Sequence, residues 1–300
     1  MLYDVIVIGG SYAGMAAALQ LVRARRSVLV IDAGERRNRF ASHSHGFLGQ
    51  DGVPPGEIAA QARRQLDAYP TLTRLEGRVE GIAGQLDQFT ATTSDGGSPR
   101  ARRILLATGV ADRLPAVDGL AERWGKSVFH CPYCHGYELD RGRIGIIGAG
   151  PMSIHQAELL TDWGDVTLLA NGAVALNQEA RSALARRGVT IEETPIHRVE
   201  GHADVAMADG RRLGFAGLFA ATRTTPSSPL AEATGCALEE TPMGIQIRTD
   251  AEGKTSVAGI FACGDVARAP HSVSLAVGSG AMAGAQVHRS LLWPDTIAST

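Results

Sequence analysis

The sequence has few cysteines, almost no excess of either charge and no long apolar run. Four cysteines in 300 residues are too few for a secreted disulfide scaffold. A formal net charge of −2 gives no electrostatic attraction to nucleic acid or to an anionic membrane surface. No apolar run approaches the roughly 20 residues that a membrane-spanning helix requires. We therefore expect neither a nucleic-acid partner nor a membrane partner.

The N-terminus also lacks the basic segment and cleavage site of a signal peptide, because "MLYDVIVIGG" enters a predicted strand at once. Together with the scarcity of cysteine, this predicts a reducing, cytoplasmic location. A close pair of cysteines in that setting is more often catalytic or metal-binding than structural.

Glycine is abundant, and two segments rich in it share one pattern. Residues 4–34 and 141–172 each read as strand, glycine turn, helix and strand, which predicts a βαβ unit. Such a turn presents backbone amides and a helix N-terminus to a pyrophosphate. The length also suggests about two domains. We predict an α/β protein with two Rossmann-like dinucleotide-binding domains.

The remaining segments predict simpler elements. Residues 74–97 suggest short antiparallel strands, and a helix is expected over about 177–187. "RRILLATG" predicts a strand that ends in a turn at Thr108 and Gly109. The last segment, from Gly259 onward, reads as a strand, an acidic turn and a long helix of small residues.

The first glycine turn predicts a dinucleotide site. Its six residues are Gly9, Gly10, Ser11, Tyr12, Ala13 and Gly14. Ser11 replaces the second glycine of the usual G-x-G-x-x-G pattern and is small enough to permit close approach. Asp32 follows at about the offset of a ribose-binding carboxylate. The alternative is an ordinary tight turn, and the second Asp-bearing turn in "GIFACGD" argues against it.

These features together resemble the FAD-binding domain of the two-dinucleotide-fold flavoprotein reductases. The resemblance implies that Asp265 contacts the ribityl and pyrophosphate part of FAD. It implies a discontinuous FAD domain at residues 1–112 and 244–300, with residues 113–243 inserted as an NAD(P)H-type domain. The cofactor-binding residues expected are Gly9, Gly10, Ser11, Ala13, Gly14, Asp32, Thr108, Gly109, Gly264 and Asp265.

"FHCPYCHGYE" places Cys131 and Cys134 one helical turn apart. A metal site would normally need a second ligand pair, and the other two cysteines stand alone, so we expect no metal. A purely structural disulfide across one turn would constrain almost no chain. A redox pair fits better: Pro132 suits the first turn of a helix, whose N-terminus favours a thiolate. His130 and His135 can then take or give the proton.

A C-x-x-C pair directly before the second βαβ unit resembles the low-molecular-weight thioredoxin reductase family over almost the whole chain. The resemblance implies that Cys134 faces the flavin and that Cys131 exchanges with the substrate. It also implies a homodimer. His135 stands where the family has an acid/base Asp, and "CPYCHG" resembles a branch that includes the dithiol oxidases of gliotoxin and holomycin maturation. In that branch His130 or His135 would activate a substrate thiol.

The second glycine turn, residues 148–153, keeps the phosphate-cradle shape, but its surroundings make NAD(P)H binding doubtful. The strand after it leads to Asn171, where an NAD site has an acidic residue and an NADP site an Arg. The His-Arg-Arg segment of NADPH-dependent thioredoxin reductases is missing. His155 and Gln156 replace acidic residues of that family. Losing charge-assisted contacts weakens affinity by about tenfold to a hundredfold or more.

Three functions stay open at this point. The first is an FAD-dependent thiol–disulfide oxidoreductase that oxidises a small dithiol or thioredoxin-like protein, with dioxygen as acceptor. The second is a thioredoxin reductase driven by NAD(P)H or by another donor such as ferredoxin. The third is a flavin redox sensor that turns nothing over.

Several other residues are weaker candidates for the functional site, and each also has an ordinary structural explanation. His43 and His45 lack a third metal ligand and lie either in a surface loop or beside the flavin pocket. His271 follows the acidic turn, where the family brings a helix N-terminus to the flavin. Arg36, Arg37 and Arg39 are expected to be solvated, the alternative being contact with the adenosine phosphate side of FAD. Cys263 is expected to be a small buried filler beside the flavin, and Cys236 to lie in the core or on the surface.

Overall fold

The computed structural model describes residues 1–294, which form four β-sheets and seven α-helices. The first 113 residues contribute most of one sheet and two helices. Their elements are β1 (Leu2–Ile8), α1 (Tyr12–Arg23), β2 (Val28–Asp32), α2 (Pro55–Asp67), β3 (Leu72–Glu76), β4 (Val79–Ala83), β5 (Phe89–Thr93), β6 (Arg100–Leu106) and β7 (Val110–Arg113).

The middle of the chain builds a second parallel sheet and a small antiparallel one. Its elements are β8 (Val128–Phe129), α3 (Pro132–His135), β9 (Arg143–Ile147), α4 (Met152–Leu160), β10 (Asp165–Leu169), α5 (Gln178–Arg186), β11 (Thr190–Glu192), β12 (Ile196–Glu200), β13 (Asp204–Met207), β14 (Arg212–Gly214) and β15 (Gly217–Ala220). The last part of the chain supplies β16 (Arg223–Pro226), α6 (Leu230–Ala233), β17 (Leu238–Thr241), β18 (Gly244–Ile247), β19 (Ile260–Ala262) and α7 (Val273–Leu292).

The first sheet has the order β3-β2-β1-β6-β5-β4, and β19 also pairs with β6. Its strands β3, β2, β1, β6 and β19 run parallel, so both faces must be covered. Alternate residues of β1 therefore enter two different cores: Val5 and Val7 pack with α1 and α7, and Ile6 and Ile8 pack on the opposite face. The predicted βαβ unit is confirmed here.

The second parallel sheet has the order β11-β10-β9-β15-β8, and it contains the second predicted βαβ unit, β9-α4-β10. The helix expected over 177–187 is present as α5. The predicted fold class, two Rossmann-like units in one chain, is confirmed. The expectation of short antiparallel strands over 74–97 is confirmed for β4 and β5, whereas β3 at its start pairs parallel to β2, because helix α2 carries the chain back across the sheet.

A four-stranded sheet, β17-β18-β16-β7, lies where the chain passes between the two units. The proposed domain boundaries after residue 112 and before residue 244 fall within this sheet, and they stay a prediction. The proposed FAD segment extends to residue 300, so its last six residues lie outside the described part. Within residues 1–294, no helix combines the length and the apolarity needed to cross a bilayer.

Helices α1 and α7 touch through glycines. A Cβ added at Gly280 would lie 2.1 Å from the backbone oxygen of Ala13, and one at Gly284 would lie 2.5 Å from that of Ala17. This close approach anchors α7 against the first glycine turn. It depends on small residues because any side chain would meet backbone, which cannot move aside.

We expect Gly280→Ala to destabilise the protein by about 1–3 kcal/mol, because the added methyl group overpacks the α1–α7 contact. Gly278→Ala is a matched control on the same helix: it is exposed, and its Cβ would meet nothing within 4 Å. There, helix propensity predicts a gain of about 0.5–1 kcal/mol. Urea unfolding of both variants measures the difference, and equal midpoints would contradict the packing argument.

Candidate functional site

The predicted dinucleotide-binding residues lie together at one edge of the first sheet. The parallel strands β2, β1, β6 and β19 are neighbours, so their carboxyl ends meet there. That edge is the usual ligand position in open α/β sheets. In chain order the residues are Gly9, Gly10, Ser11, Ala13 and Gly14 after β1, Asp32 at the end of β2, Thr108 and Gly109 after β6, and Gly264 and Asp265 after β19.

The first turn has no room for larger residues. A Cβ at Gly9 would lie 2.3 Å from the backbone oxygen of Ala107, and one at Gly14 would lie 1.8 Å from that of Gly9. Ser11 is the N-cap of α1, yet its side chain makes no capping hydrogen bond. The N-terminus of α1 therefore keeps its positive end available to an anion.

This cradle fits FAD. A Cβ at Gly10 would lie 2.8 Å from that of Asp32, so the turn and the carboxylate are adjacent. Arg36 Nε and Asn38 Oδ1 are buried and have no hydrogen-bond partner among residues 1–294. Tyr12 donates a hydrogen bond to the Pro55 carbonyl at 3.1 Å and accepts one from Asn38 at 3.2 Å, which holds the loop after β2 beside the turn. Bound phosphate and sugar groups would satisfy the remaining polar atoms.

Cys131 and Cys134 form a disulfide, with a Cα–Cα distance of 5.3 Å. Cys131 is the N-cap of α3, and Pro132 occupies its first turn as the sequence predicted. Helix α3 has only four residues, so its dipole is smaller than the sequence argument assumed. A thiolate at this position therefore gains less from the helix dipole than the sequence argument assumed.

Both histidines that flank the cysteines are neutral at pH 7. Burial lowers the pKa of His130 to about 4, and the nearby Arg37 charge acts in the same direction. Burial also lowers the pKa of His135 to about 4, with a smaller contribution from His45. The His135 ring stacks on Phe129 with 4.3 Å between ring centroids. Each neutral imidazole keeps one nitrogen that can accept a hydrogen bond.

The carbonyl of His130 is also fixed, because Gln156 Nε2 donates to it at 2.9 Å. Gln156 lies on α4, in the helix that follows the second glycine turn. Gln156, which replaces an acidic residue of the family, therefore helps to position residues 129–138, the redox segment that carries the Cys pair.

Arg37 is not solvated, contrary to expectation. Its Nε and Nη2 donate to Asp112 at 2.8 and 2.6 Å, and its Nη1 donates to Asp265 at 3.1 Å. Thr222 Oγ1 donates a further hydrogen bond to Asp112 at 2.9 Å. Burial alone would raise the pKa of Asp112, but the Arg37 guanidinium lowers it. Arg37, Asp112 and Thr222 were missed because nothing in the local sequence connects segments so far apart.

Asp265, expected to contact FAD, lies beside the first turn, and its carboxylate is ion-paired with Arg37. A Cβ at the preceding Gly264 would lie 2.7 Å from that of Ala13, which shows how closely this turn approaches α1. The contact between Asp265 and the flavin stays a prediction.

The weaker candidates for the functional site lie in different environments. His45 lies 3.5 Å from Asp51 and 3.4 Å from Glu138, so it joins the loop after β2 to the redox segment. His43 is exposed and contacts Ser42. Cys236 and Cys263 are both buried, and burial raises the pKa of the Cys263 thiol to about 12, which makes it unreactive. Within residues 1–294, no three His, Cys, Asp or Glu side chains converge to hold a metal ion.

In the second glycine turn, a backbone N–H group is hydrogen-bonded by a side chain of the same turn. Ser153, which replaces the third glycine, is fully buried and accepts a hydrogen bond from the Ala149 amide at 3.0 Å. Asn171, at the ribose position, accepts one from the Ile196 amide at 2.8 Å. Both side chains are therefore used to stabilise the chain where a nicotinamide dinucleotide would need contacts.

We expect Arg37→Met to lower the free energy of unfolding at pH 7 by about 3 kcal/mol, because Asp112 would stay buried without its cation. The pKa of Asp112 is depressed in the folded state, so this stability is present above its unfolded pKa and is lost as the pH falls. The variant should therefore differ least from the wild type in acid. Urea unfolding between pH 3 and pH 7 checks this.

Two controls accompany this substitution. Arg39→Met removes an exposed guanidinium that stacks on Phe40, and it should change stability by less than about 0.5 kcal/mol. Arg37→Met combined with Asp112→Asn should recover part of the loss. A double variant as unstable as the sum of both single variants would contradict the ion-pair explanation.

Comparison with known proteins gives consistent relatives. A family model described as pyridine nucleotide-disulphide oxidoreductase matches residues 3–280. "Thioredoxin reductase tcpT" of Claviceps purpurea is 34% identical over 96% of this chain and 94% of its own. A crystal structure of an oxidoreductase from Agrobacterium tumefaciens is 57% identical with a TM-score of 0.96, covering 98% of this chain and 100% of the other. The crystal structure of HlmI is 35% identical with a TM-score of 0.90, covering 98% and 94%.

Family membership implies that the protein binds FAD, which agrees with the cradle at the first turn. The fold, the disulfide and these relatives agree with one another. The chain belongs to the pyridine nucleotide-disulphide oxidoreductase family and, within it, is a thioredoxin reductase-like disulfide oxidoreductase.

Proposed function

We propose that this enzyme is a dithiol oxidase: it oxidises a small dithiol through the Cys131–Cys134 disulfide and transfers the electrons to dioxygen. The observation that carries the proposal is the contrast between the two glycine turns. Neither helix has a side-chain cap, but in the second turn Ser153 takes up the Ala149 amide, whereas in the first turn Gly14 stands at the corresponding position and has no side chain to do so. This makes the second turn the poorer site for a dinucleotide phosphate, which supports the proposal.

The site also supports thiol chemistry. The disulfide lies between two histidines that are neutral at pH 7 and can accept protons from a substrate thiol. The relatives include proteins named thioredoxin reductase and the protein HlmI. A homodimer and a cytoplasmic location belong to the same proposal on the strength of the family resemblance.

The exchange proceeds in two steps. A substrate thiolate attacks Cys131 Sγ, the Cys131–Cys134 bond breaks, and its electron pair remains on Cys134 as a thiolate. The second substrate thiol then loses its proton and attacks the substrate sulfur in the mixed disulfide, which releases Cys131. The substrate loses two electrons and two protons, and the enzyme disulfide becomes a reduced pair.

FAD held by the first turn would supply a two-electron acceptor for this reduced pair, with dioxygen as the final acceptor and hydrogen peroxide as the product. The side chains of His130 and His135 can take up the protons that the exchange releases. A thiolate at Cys134 raises the pKa of neighbouring imidazoles, so His130 and His135 become better bases as the disulfide opens. Proton uptake is thereby coupled to the exchange step.

Reduced Cys134→Ser, treated with a small linear disulfide, should retain a mixed disulfide on Cys131, because no second enzyme thiol remains to displace the adduct. Cys131→Ser should form no such adduct and should lose turnover by about a thousandfold or more. Intact-protein mass spectrometry identifies the adduct. An adduct on Cys131→Ser and none on Cys134→Ser would reverse the two roles.

Mixed anaerobically with a small dithiol, the wild-type protein should lose its flavin absorbance rapidly, and air should restore it with one hydrogen peroxide per dithiol oxidised. NADPH and NADH should act at least about a hundredfold more slowly, since the second turn lacks the contacts that bind them. Stopped-flow absorbance on one preparation compares these donors with reduced thioredoxin. Rapid bleaching by micromolar NADPH, with none by dithiols, would instead indicate a nicotinamide-driven reductase.

A further inference from the structure

His271 lies beside the redox segment, although it belongs to a different part of the chain. It directly precedes Ser272, the N-cap of α7, whose side chain accepts a hydrogen bond from the Leu275 amide at 3.1 Å. The cap fixes the backbone at this point. The His271 ring lies 6.4 Å from the His130 ring, measured between centroids, and His130 is the residue before Cys131.

Both rings have an unused nitrogen. His130 Nδ1 and His271 Nδ1 are buried, and neither has a hydrogen-bond partner among the described residues. Buried polar atoms are normally paired, and those that are not call for an explanation such as a ligand. The two imidazoles do not bond each other directly at this distance, but one thiol or hydroxyl between them could contact both.

Burial, more than the surrounding charges, keeps both rings neutral and able to accept a proton. Burial lowers the pKa of each ring, Arg37 lowers both further, and His271 also lowers the pKa of His130. Asp112 acts in the opposite direction on both, and Asp265 does so on His271. The guanidinium of Arg37 and its two carboxylate partners, Asp112 and Asp265, thus surround a pair of neutral imidazoles.

Dithiol oxidation must remove two protons, one from each substrate sulfur. His130 adjoins Cys131 and is suited to the thiol that attacks this cysteine. A second acceptor is needed for the thiol that resolves the mixed disulfide, at a moment when Cys134 already carries a negative charge. His271 offers a second unpartnered nitrogen, on a ring whose centroid lies 6.4 Å from that of His130.

We propose that His271 is a catalytic residue that takes the proton of the second substrate thiol, with His130 serving the first. This rests on the dithiol-oxidase function proposed above. In the resolving step the S–H proton moves to His271, the new thiolate attacks the substrate sulfur bound to Cys131, and Cys131 leaves with the electron pair of the broken S–S bond. No further oxidant enters this step.

The test is an anaerobic rapid-quench experiment with dithiothreitol on wild type, His271→Gln and His271→Asn, followed by alkylation and mass spectrometry. Both variants should form the mixed disulfide at the wild-type rate but resolve it about tenfold or more slowly at pH 7, so the adduct accumulates. The difference should shrink towards about pH 9, where the thiol ionises unaided. His288→Gln, on the half-buried side of the same helix, is the matched control and should resolve the adduct normally.

The outcomes separate the two proposals. Wild-type exchange with dithiothreitol, combined with normal resolution in both His271 variants, overturns the role of His271 and leaves the proposed function standing. A slowing that is equal at every pH also overturns it, because a purely structural role would not respond to ionisation of the thiol. A wild-type protein that never exchanges with the dithiol overturns the proposed function and this inference with it.

Discussion

The ion pairs of Arg37 connect the parts on which the site depends. One guanidinium binds Asp112 on β7 and Asp265 after β19, and Thr222 adds a hydrogen bond to Asp112 from the segment that returns from the second unit. Charges at this depth are costly unless each is paired in good geometry, so the three segments must keep these positions together. The same guanidinium influences the protonation of His130 and His271.

The two nucleotide-type units show how one sequence pattern supports different roles. Gly14 lets α1 begin directly beneath the first turn, where any Cβ would meet the Gly9 oxygen. Ser153, at the corresponding place in the second turn, has a hydroxyl that takes up the Ala149 amide. A fold can keep its shape while the polar groups that once favoured a ligand are satisfied internally. In this protein the second unit positions the redox segment, as the hydrogen bond from Gln156 to His130 illustrates.

The sequence predicted local structure correctly where the interacting residues are close together in the chain. The two βαβ units and the position of Pro132 at the start of α3 follow from periodicity and turn chemistry within short windows. The pairing of β3 could not be read in this way, because its sequence suits a strand in either direction. The exposure of Arg37 was misjudged since its partners lie 75 and 228 residues away.

The sequence by itself determined the fold class, the position of the first glycine turn and the pairing of Cys131 with Cys134, because glycine turns and a C-x-x-C pair act over a few residues. Only the tertiary structure decided which side chains surround those cysteines. It brought His271 to within 6.4 Å of His130 and buried Arg37 between two carboxylates. These contacts join ends of strands and helices that the chain order keeps apart, and burial, which sets the protonation of the histidines, exists only once the sheets have packed.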